Sequence, residues 1–494
     1  MQFYIIKIDN IKIDNKLIEE DDSVKRLSGV RVPHSKNTAD MPPEMLPTPA
    51  LVTIPMSMHS GTPAVVTVGP GDEVKVGQVI GEASGRVSAM VHASVSGKVK
   101  KITEVLMPSG RKTQAVVIES DGLQEPSPEL CPHPVESMEE FISVVKDSGA
   151  VGLGGAVYPT YAKFAIDNPN DVEVFIVNGA ECEPYLTGDN RTMIDDADLV
   201  VDGAELLLRF FPRCRVVIGI EDNKQQAIKT MTEKCANNNS IEVRELPARY
   251  PQGSKNVILY SLTGKVVAEG ARLTSVGALI INCTTLSTIA RYIKTGMPLV
   301  SKYITVDGTA VKTPKNVIVP IGTSIGEVLA YCGFEEAAVR KILIGGPMMG
   351  ISVHDIGESI VKGSGAVLAF KEADALTKKE TACIRCGRCV EACPLNLMPL
   401  EFETAYKLKK PEILEKLGVN VCMECGCCAY ICPAARPLVQ TFKLAKTMLR
   451  EYQNAKKNEN AKQDESIKTP QNDAQSSISK VKDEENTAKR GGKA

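Results

Sequence analysis

The first third of the chain places its apolar residues in short, partly alternating runs. Val65–Val68, Val74–Val79, Val87–Val91 and Lys98–Ile102 are separated by Pro70-Gly71-Asp72, Gly81, Gly85 and Gly97. Such punctuation predicts β-strands joined by tight turns. From about Asp171 the pattern alternates between two periods. Val172–Val177, Arg215–Ile220, Ile241–Leu246 and Ala278–Ile281 are compact apolar runs that predict buried strands. Between and after them, Asp198–Phe211, Lys224–Ala236 and Thr284–Lys294 carry apolar residues at helical spacing. Strand–helix alternation of this kind predicts an α/β unit with a largely parallel sheet. A smaller α+β piece follows, with strands over Ser301–Val306 and Asn316–Val319 and a helix over Ser324–Tyr331. From Lys456 to Ala494 large apolar residues nearly vanish, which predicts a disordered tail.

Length and composition narrow the picture. A chain of 494 residues has room for three or four domains. With 58 basic and 60 acidic side chains, nothing suggests a nucleic-acid partner. Met1–Leu17 scatters lysine and aspartate among its apolar residues, unlike a signal peptide. No run reaches the roughly 18 to 20 apolar residues that a membrane span needs, so any membrane association is expected to come through a partner. Of the 15 cysteines, Cys131, Cys182, Cys214, Cys235, Cys283, Cys332 and Cys427 show no framework spacing and are expected to be reduced core residues.

The other cysteines form two runs with one spelling. Cys383-x-x-Cys386-x-x-Cys389-x-x-x-Cys393-Pro394 is repeated as Cys422-x-x-Cys425-x-x-Cys428-x-x-x-Cys432-Pro433. This is the bacterial ferredoxin pattern, and its doubling predicts two [4Fe-4S] clusters. In paired motifs the fourth cysteine of each run ligates the other cluster. That rule gives one set of Cys383, Cys386, Cys389 and Cys432, and a second of Cys422, Cys425, Cys428 and Cys393. Structural zinc also uses C-x-x-C pairs, but has no use for a third regularly spaced cysteine followed by Cys-Pro, twice over.

Ahead of the α/β strands lies Gly149-Ala150-Val151-Gly152-Leu153-Gly154-Gly155-Ala156-Val157-Tyr158-Pro159. Gly152, Gly154 and Gly155 would let backbone N–H groups approach a phosphate. The spacing is not the Rossmann fingerprint. After the first strand comes Asn178-Gly179-Ala180-Glu181-Cys182-Glu183-Pro184, two carboxylates at a strand end where α/β sheets bind ligands. A solvated acidic turn is the competing interpretation. His59 and His92 are isolated and are expected to be structural.

Several segments carry family resemblances. Gly71–Gln78 followed by Val91–Val99 resembles the biotinyl/lipoyl barrel-sandwich fold, with Ser84-Gly85-Arg86-Val87 where the modified lysine would stand. Gly152–Lys163, Asn178–Pro184 and Asn282-Cys283-Thr284-Thr285-Leu286 resemble the FMN and NADH site of the flavoprotein subunit of respiratory complex I. Pro320–Ser324 and Glu327–Gly333 resemble a soluble-ligand-binding β-grasp domain. The whole order, with Ser28–His34, Pro55–His59 and Pro433–Gln440, resembles the C-subunit family of Rnf electron-transport complexes.

The resemblance implies a multidomain α/β and α+β chain. Its parts would be an extension (1–27), a barrel-sandwich hybrid without modified lysine (28–125) and a Rossmann-like α/β FMN/NADH domain (126–298). A β-grasp domain (299–371), a double [4Fe-4S] ferredoxin-like domain (372–450) and a disordered tail (451–494) would follow. It implies a peripheral subunit of an ion-translocating ferredoxin:NAD oxidoreductase at the cytoplasmic face of the membrane. Its partners would be integral membrane and other subunits, with ferredoxin as redox partner. Electrons would pass between NAD(H), FMN and the clusters, because a flavin can exchange both hydrides and single electrons. Gly152, Gly154, Gly155 and Lys163 would hold the FMN phosphate. Asn178, Glu181, Glu183 and Tyr158 would orient or stack on the rings, with Asn282 and Thr285 in a third contacting segment. No side chain would act as general acid, general base or nucleophile. Val157 and Lys255 depart from the family pattern. Two alternatives stay open, a soluble cobalamin reductase of the propanediol-utilisation type and a non-catalytic electron-transfer adaptor.

Overall fold

A computed structural model describes residues 27–108, 110–376 and 378–468. All but the last residue of the 1–27 extension, and the tail beyond 468, lie outside the described residues.

The first unit is a sandwich of two small sheets. Leu51–Pro55, Lys112–Ser120, Gly97–Leu106 and Glu73–Val74 form one, and Val65–Val66, Val79–Glu82 and Val91–His92 the other. Val52, Ile54, Ile80, Val91, Val116 and Ile118 are sealed between them. The strand expected over Val74–Val79 is two strands in different sheets. The chain turns at Gly77, whose φ of +86° suits glycine. The run Val87–Val91 contributes only Val91–His92. Leu51–Pro55 and Lys112–Ser120 are not legible as strands in the sequence, although together they form half of the larger sheet.

The α/β unit has four parallel strands in the order Ile241–Leu246, Arg215–Glu221, Val174–Gly179, Ala278–Asn282. Helices Ala197–Phe210, Gln225–Cys235 and Cys283–Thr295 cover it. The first strand in sequence therefore lies inside the sheet, and the chain leaves it toward opposite sides. The crevice at the carboxyl ends of Val174–Gly179 and Ala278–Asn282 is the topological switch point, where such sheets bind ligands. Register pairs Asn178 with Asn282 there.

The third unit is a six-stranded mixed sheet with the Ile325–Tyr331 helix, which opens on a Ser324/Glu327 capping box. Its edge strand, Glu44–Met45, comes from the N-terminal segment and pairs in parallel with Lys315–Pro320. The same segment bridges Val30 to Tyr250 of the α/β unit. Residues 29–46 thus strap two later units together before the sandwich begins. Lys362 adds a second tie, donating to Met90 O at 2.5 Å and Gly149 O at 2.7 Å.

The C-terminal unit is a compact helical module holding both cysteine runs. Its core centres on Phe402, Leu414 and Phe442. The final helix runs Leu438–Lys468, which corrects the expectation of disorder from residue 451 for the stretch up to 468. That stretch contains no glycine or proline and is rich in Ala, Glu, Lys and Gln, all good helix formers. Cys131 is exposed rather than core, whereas Cys214, Cys235, Cys283, Cys332 and Cys427 are buried and Cys182 partly so.

Arg436 ties the module together. Its guanidinium grips the buried Glu403 carboxylate, bonds Thr381 O at 3.1 Å and pairs with Glu380 at 2.6 Å. Arg436→Met should leave Glu403 buried with one exposed partner, Lys407, at a cost of about 3–5 kcal/mol. Lys407→Met removes only that exposed partner and should cost under about 1 kcal/mol. Denaturant unfolding of both variants checks this; equal losses would contradict the assignment.

Candidate functional site

The glycine-rich loop sits over the switch point. Gly152 N–H donates to Tyr158 O (2.9 Å) and Val157 N–H returns to Gly152 O (3.0 Å), closing a small loop. Buried Thr285 accepts from Leu153 N–H at 2.9 Å. Asn282 accepts from Thr285 N–H at 3.1 Å, capping the Cys283–Thr295 helix, and donates to Asp189 at 2.7 Å. A β-carbon on Gly154 would lie 3.3 Å from Asn282 Nδ2. Gly155 has φ of +101° and faces open space. Among the described residues the N–H groups of Gly154, Gly155 and Ala156 donate to no protein acceptor. Consecutive free N–H groups in a turn make an anion-binding nest. Val157 then adopts φ of +43°, a left-handed conformation that a β-branched residue adopts only under constraint. Ser60 N–H from the sandwich holds its carbonyl at 2.9 Å, and Val157 Cγ1 packs where a Gly363 side chain would be.

The other expected residues divide by role. Asn178 donates to Gly253 O at 2.8 Å and accepts from Ala180 N–H, shaping the crevice wall. Tyr158 is half-exposed at the loop's end. Lys163 reaches Ile280 O at 3.3 Å; burial, then the neighbouring Lys255, holds its pKa down. Lys163 therefore stands at the base of the crevice rather than on the glycine loop, beside a second cation.

Glu181 and Glu183 turn out to do different things. Glu181 is buried and accepts from the N–H groups of Asp189 (2.8 Å) and Asn190 (3.3 Å), at the start of the Gly188–Asp195 helix. Burial pushes its pKa up, opposed chiefly by Lys36. Glu183 accepts from Met348 N–H at 3.1 Å, and the Tyr250 hydroxyl oxygen lies 3.4 Å from its carboxylate. Burial raises its pKa to about 7. A β-carbon on Gly346 would overlap the Glu183 carboxylate, so glycine is needed there.

Sequence reasoning missed several residues that frame the site. Lys36, on the N-terminal strap, donates to the carbonyls of Glu181, Glu183 and Leu186 at 2.8, 2.8 and 2.5 Å. Tyr250, almost fully buried, donates to Cys425 O at 2.6 Å. Lys302 and Asp189 lie beneath the glycine loop. Lysines and a tyrosine outside any motif carry no spacing signal, because partners far along the chain define them.

The eight motif cysteines line two cavities in the crossed arrangement. Cys393, Cys422, Cys425 and Cys428 surround one. Cys383, Cys386, Cys389 and Cys432 surround the other. Four thiols lining one cavity match the ligand count of a cubane. The donor sets therefore fit two [4Fe-4S] clusters, and the N–H nest fits a phosphate-bearing cofactor. Cys427 lines the first cavity but turns its sulfur toward Tyr250 O at 3.8 Å. That cavity abuts the α/β unit through a small core of Val30, Val32, Tyr250, Ala392, Cys425 and Cys427. The second faces outward, with Cys383 and Cys386 exposed and Ile384 68% exposed. His59 and His92 are buried, and burial holds their pKa down to about 4 and about 3, so both are neutral structural groups at pH 7.

Family models match in the same order as these units. The RnfC barrel sandwich hybrid domain matches residues 25–123, the Nuo51 FMN-binding domain 145–291, the SLBB domain 303–352 and a 4Fe-4S dicluster domain 382–435. The chain is 41% identical to the C subunit of the proton-translocating ferredoxin:NAD(+) oxidoreductase complex of Clostridium ljungdahlii, over 74% of this chain and 80% of the relative. It is 38% identical to the C subunit of the Na(+)-translocating ferredoxin:NAD(+) oxidoreductase complex of Acetobacterium woodii, over 75% and 85%. With the C subunit of the ion-translocating oxidoreductase complex of Rhodobacter capsulatus it shares 35% over 86% and 82%.

Two outcomes are expected. Cys393→Ala should deplete the cluster nested in Cys422–Cys428, and iron analysis with EPR reads which signal is lost; loss confined to the Cys383–Cys389 cluster would contradict the crossed sets. Gly154→Val should press on Asn282 and close the nest, weakening FMN binding more than about tenfold. Both clusters should stay assembled, as flavin and cluster absorbance measured together will show.

Proposed function

The chain belongs to the C-subunit family of ion-translocating ferredoxin:NAD(+) oxidoreductase complexes, and from that membership we propose how its residues serve the complex. It is an electron-transfer subunit with FMN and [4Fe-4S] clusters as cofactors. When bound, a flavin exchanges two electrons as hydride with a nicotinamide and single electrons with iron–sulfur clusters. On this reading the N–H groups of residues 154–156 hold the FMN phosphate, with Gly152 giving close approach. Thr285 and Asn282 brace the loop from below. Lys163, with Lys255 beside it, supplies positive charge at the crevice base. Tyr158 covers a ring at the mouth, and Asn178 and Glu183 line the wall. Glu181 acts indirectly, by fixing the Gly188–Asp195 helix whose Asp189 orients Asn282.

One observation carries the reading: the Cys393/Cys422/Cys425/Cys428 cavity packs against the flavin unit at Tyr250, while the other cavity has its Cys383 and Cys386 exposed. The protein thus has an inner and an outer cluster position, the outer one open to a partner. No helix among the described residues is long and apolar enough to cross a membrane. We assign the chain to the cytoplasmic face of its complex, attached through integral membrane and other subunits, with ferredoxin as the redox partner of the whole. The free N–H nest supports a working flavin site over a vestigial one, and no observation favours corrin reduction.

Purified anaerobically, the chain should carry FMN and iron–sulfur absorbance, and NADH should bleach both. Bleaching by dithionite but not by NADH would leave the adaptor reading in its place.

A further inference from the structure

The two peptide groups flanking Leu153 are each held by a side chain. Thr285 Oγ1 takes the Leu153 N–H at 2.9 Å, and Lys302 Nζ donates to the Leu153 carbonyl at 3.4 Å. Lys302 belongs to the Ser301–Asp307 strand of the β-grasp unit, not to the flavin unit, and is 5% exposed. Asp189 and Glu181 act on its ammonium as opposing charges, against the cost of burial. Asp189 in turn anchors Asn282, against which Gly154 packs. A buried cation brought in from another unit is costly to retain unless it has a partner or a task.

In a trans peptide the carbonyl of one residue and the N–H of the next point in opposite directions. A cation on the Leu153 carbonyl therefore turns the Gly154 N–H away from Lys302 and toward the nest. It also polarises that peptide, which strengthens the N–H as a donor where water is scarce. We propose that Lys302 is a positioning residue of the flavin site, supplied by the β-grasp unit to orient the N–H nest toward the phosphate. The inference rests on the reading of residues 152–156 as the phosphate cradle. It gives the β-grasp unit a defined part in cofactor binding: docked, it completes the cradle, and the loop alone is underdetermined. The gain is preorganisation, since the nest need not be ordered by the ligand at the cost of affinity.

The test separates the phosphate from the ring. The intact chain, stripped of flavin under anaerobic conditions, is titrated with FMN and with riboflavin, which lacks the phosphate. Wild-type protein should prefer FMN by at least about tenfold, the worth of hydrogen bonds to a charged group. Lys302→Met should cut that preference by about tenfold while leaving riboflavin affinity, cluster absorbance and thermal unfolding of the chain near wild type. Lys302→Arg, which keeps the charge, should retain most of the preference. If the methionine variant does not fold, Lys302→Gln carries the same test, keeping a donor without the charge, with a drop of several-fold expected. An unchanged FMN-to-riboflavin ratio in a folded Lys302 variant would overturn the inference, as would an equal loss of both flavins, which marks a merely structural lysine. A wild-type protein with no preference for FMN would instead overturn the cradle reading beneath it.

Discussion

A single buried hydroxyl joins the two halves of the chemistry. Tyr250 donates to Cys425 O at 2.6 Å and reaches the Glu183 carboxylate at 3.4 Å, so the flavin-side loop and a cluster loop share one residue. Electron transfer between separately folded units needs close, fixed contact between them. Here it is made by the Tyr250 hydrogen bond and by dry packing around that ring. The N-terminal strap pins the same residue from behind, through paired backbone bonds between Val30 and Tyr250 at 2.9 and 3.1 Å. Tertiary architecture elsewhere in the chain keeps this seam from slipping.

Buried charge is concentrated around the seam and is tolerated by the fold because each group is met by others. Lys36 donates to three carbonyls; burial holds its pKa down, and the nearby Glu181 opposes that only in part. Lys224 pairs with Glu221 at 2.7 Å, both side chains almost fully buried. Such pairs contribute little net stability, but removal of one member strands the other. Lys36 ties the strap to the Glu181–Leu186 loop, and Lys224 also donates to Glu181 O.

Much of this is legible in the sequence, and the reasons differ by element. The cysteine runs declare their chemistry because a cubane's ligands recur at fixed short spacing, and the crossed sets recur in the two thiol-lined cavities. The parallel strands are legible because each is a short apolar run bounded by a helical period. The sandwich is less so: Gly77 splits one apparent strand between two sheets, and Lys112–Ser120 does not alternate cleanly. The tail helix escapes a reading based on apolar content, because helix propensity does not depend on large apolar side chains. Residues such as Lys36, Tyr250 and Lys302 are invisible, because each is defined by partners over a hundred residues away in sequence. Glu181 and Glu183 look equivalent in their motif, yet only Glu183 lies on the seam. Spacing cannot tell a carboxylate that caps a helix from one that faces a neighbouring unit.

The central claim is an order: the Cys393/Cys422/Cys425/Cys428 cluster is the inner one and stands between the flavin unit and the outer cluster. Rapid-freeze EPR of Cys428→Ala protein, which lacks the inner cluster, tests it most directly. After mixing with NADH the outer cluster should remain oxidised, although dithionite reduces it. Reduction of that cluster by NADH at the wild-type rate would contradict the order and the role assigned to the Tyr250 seam.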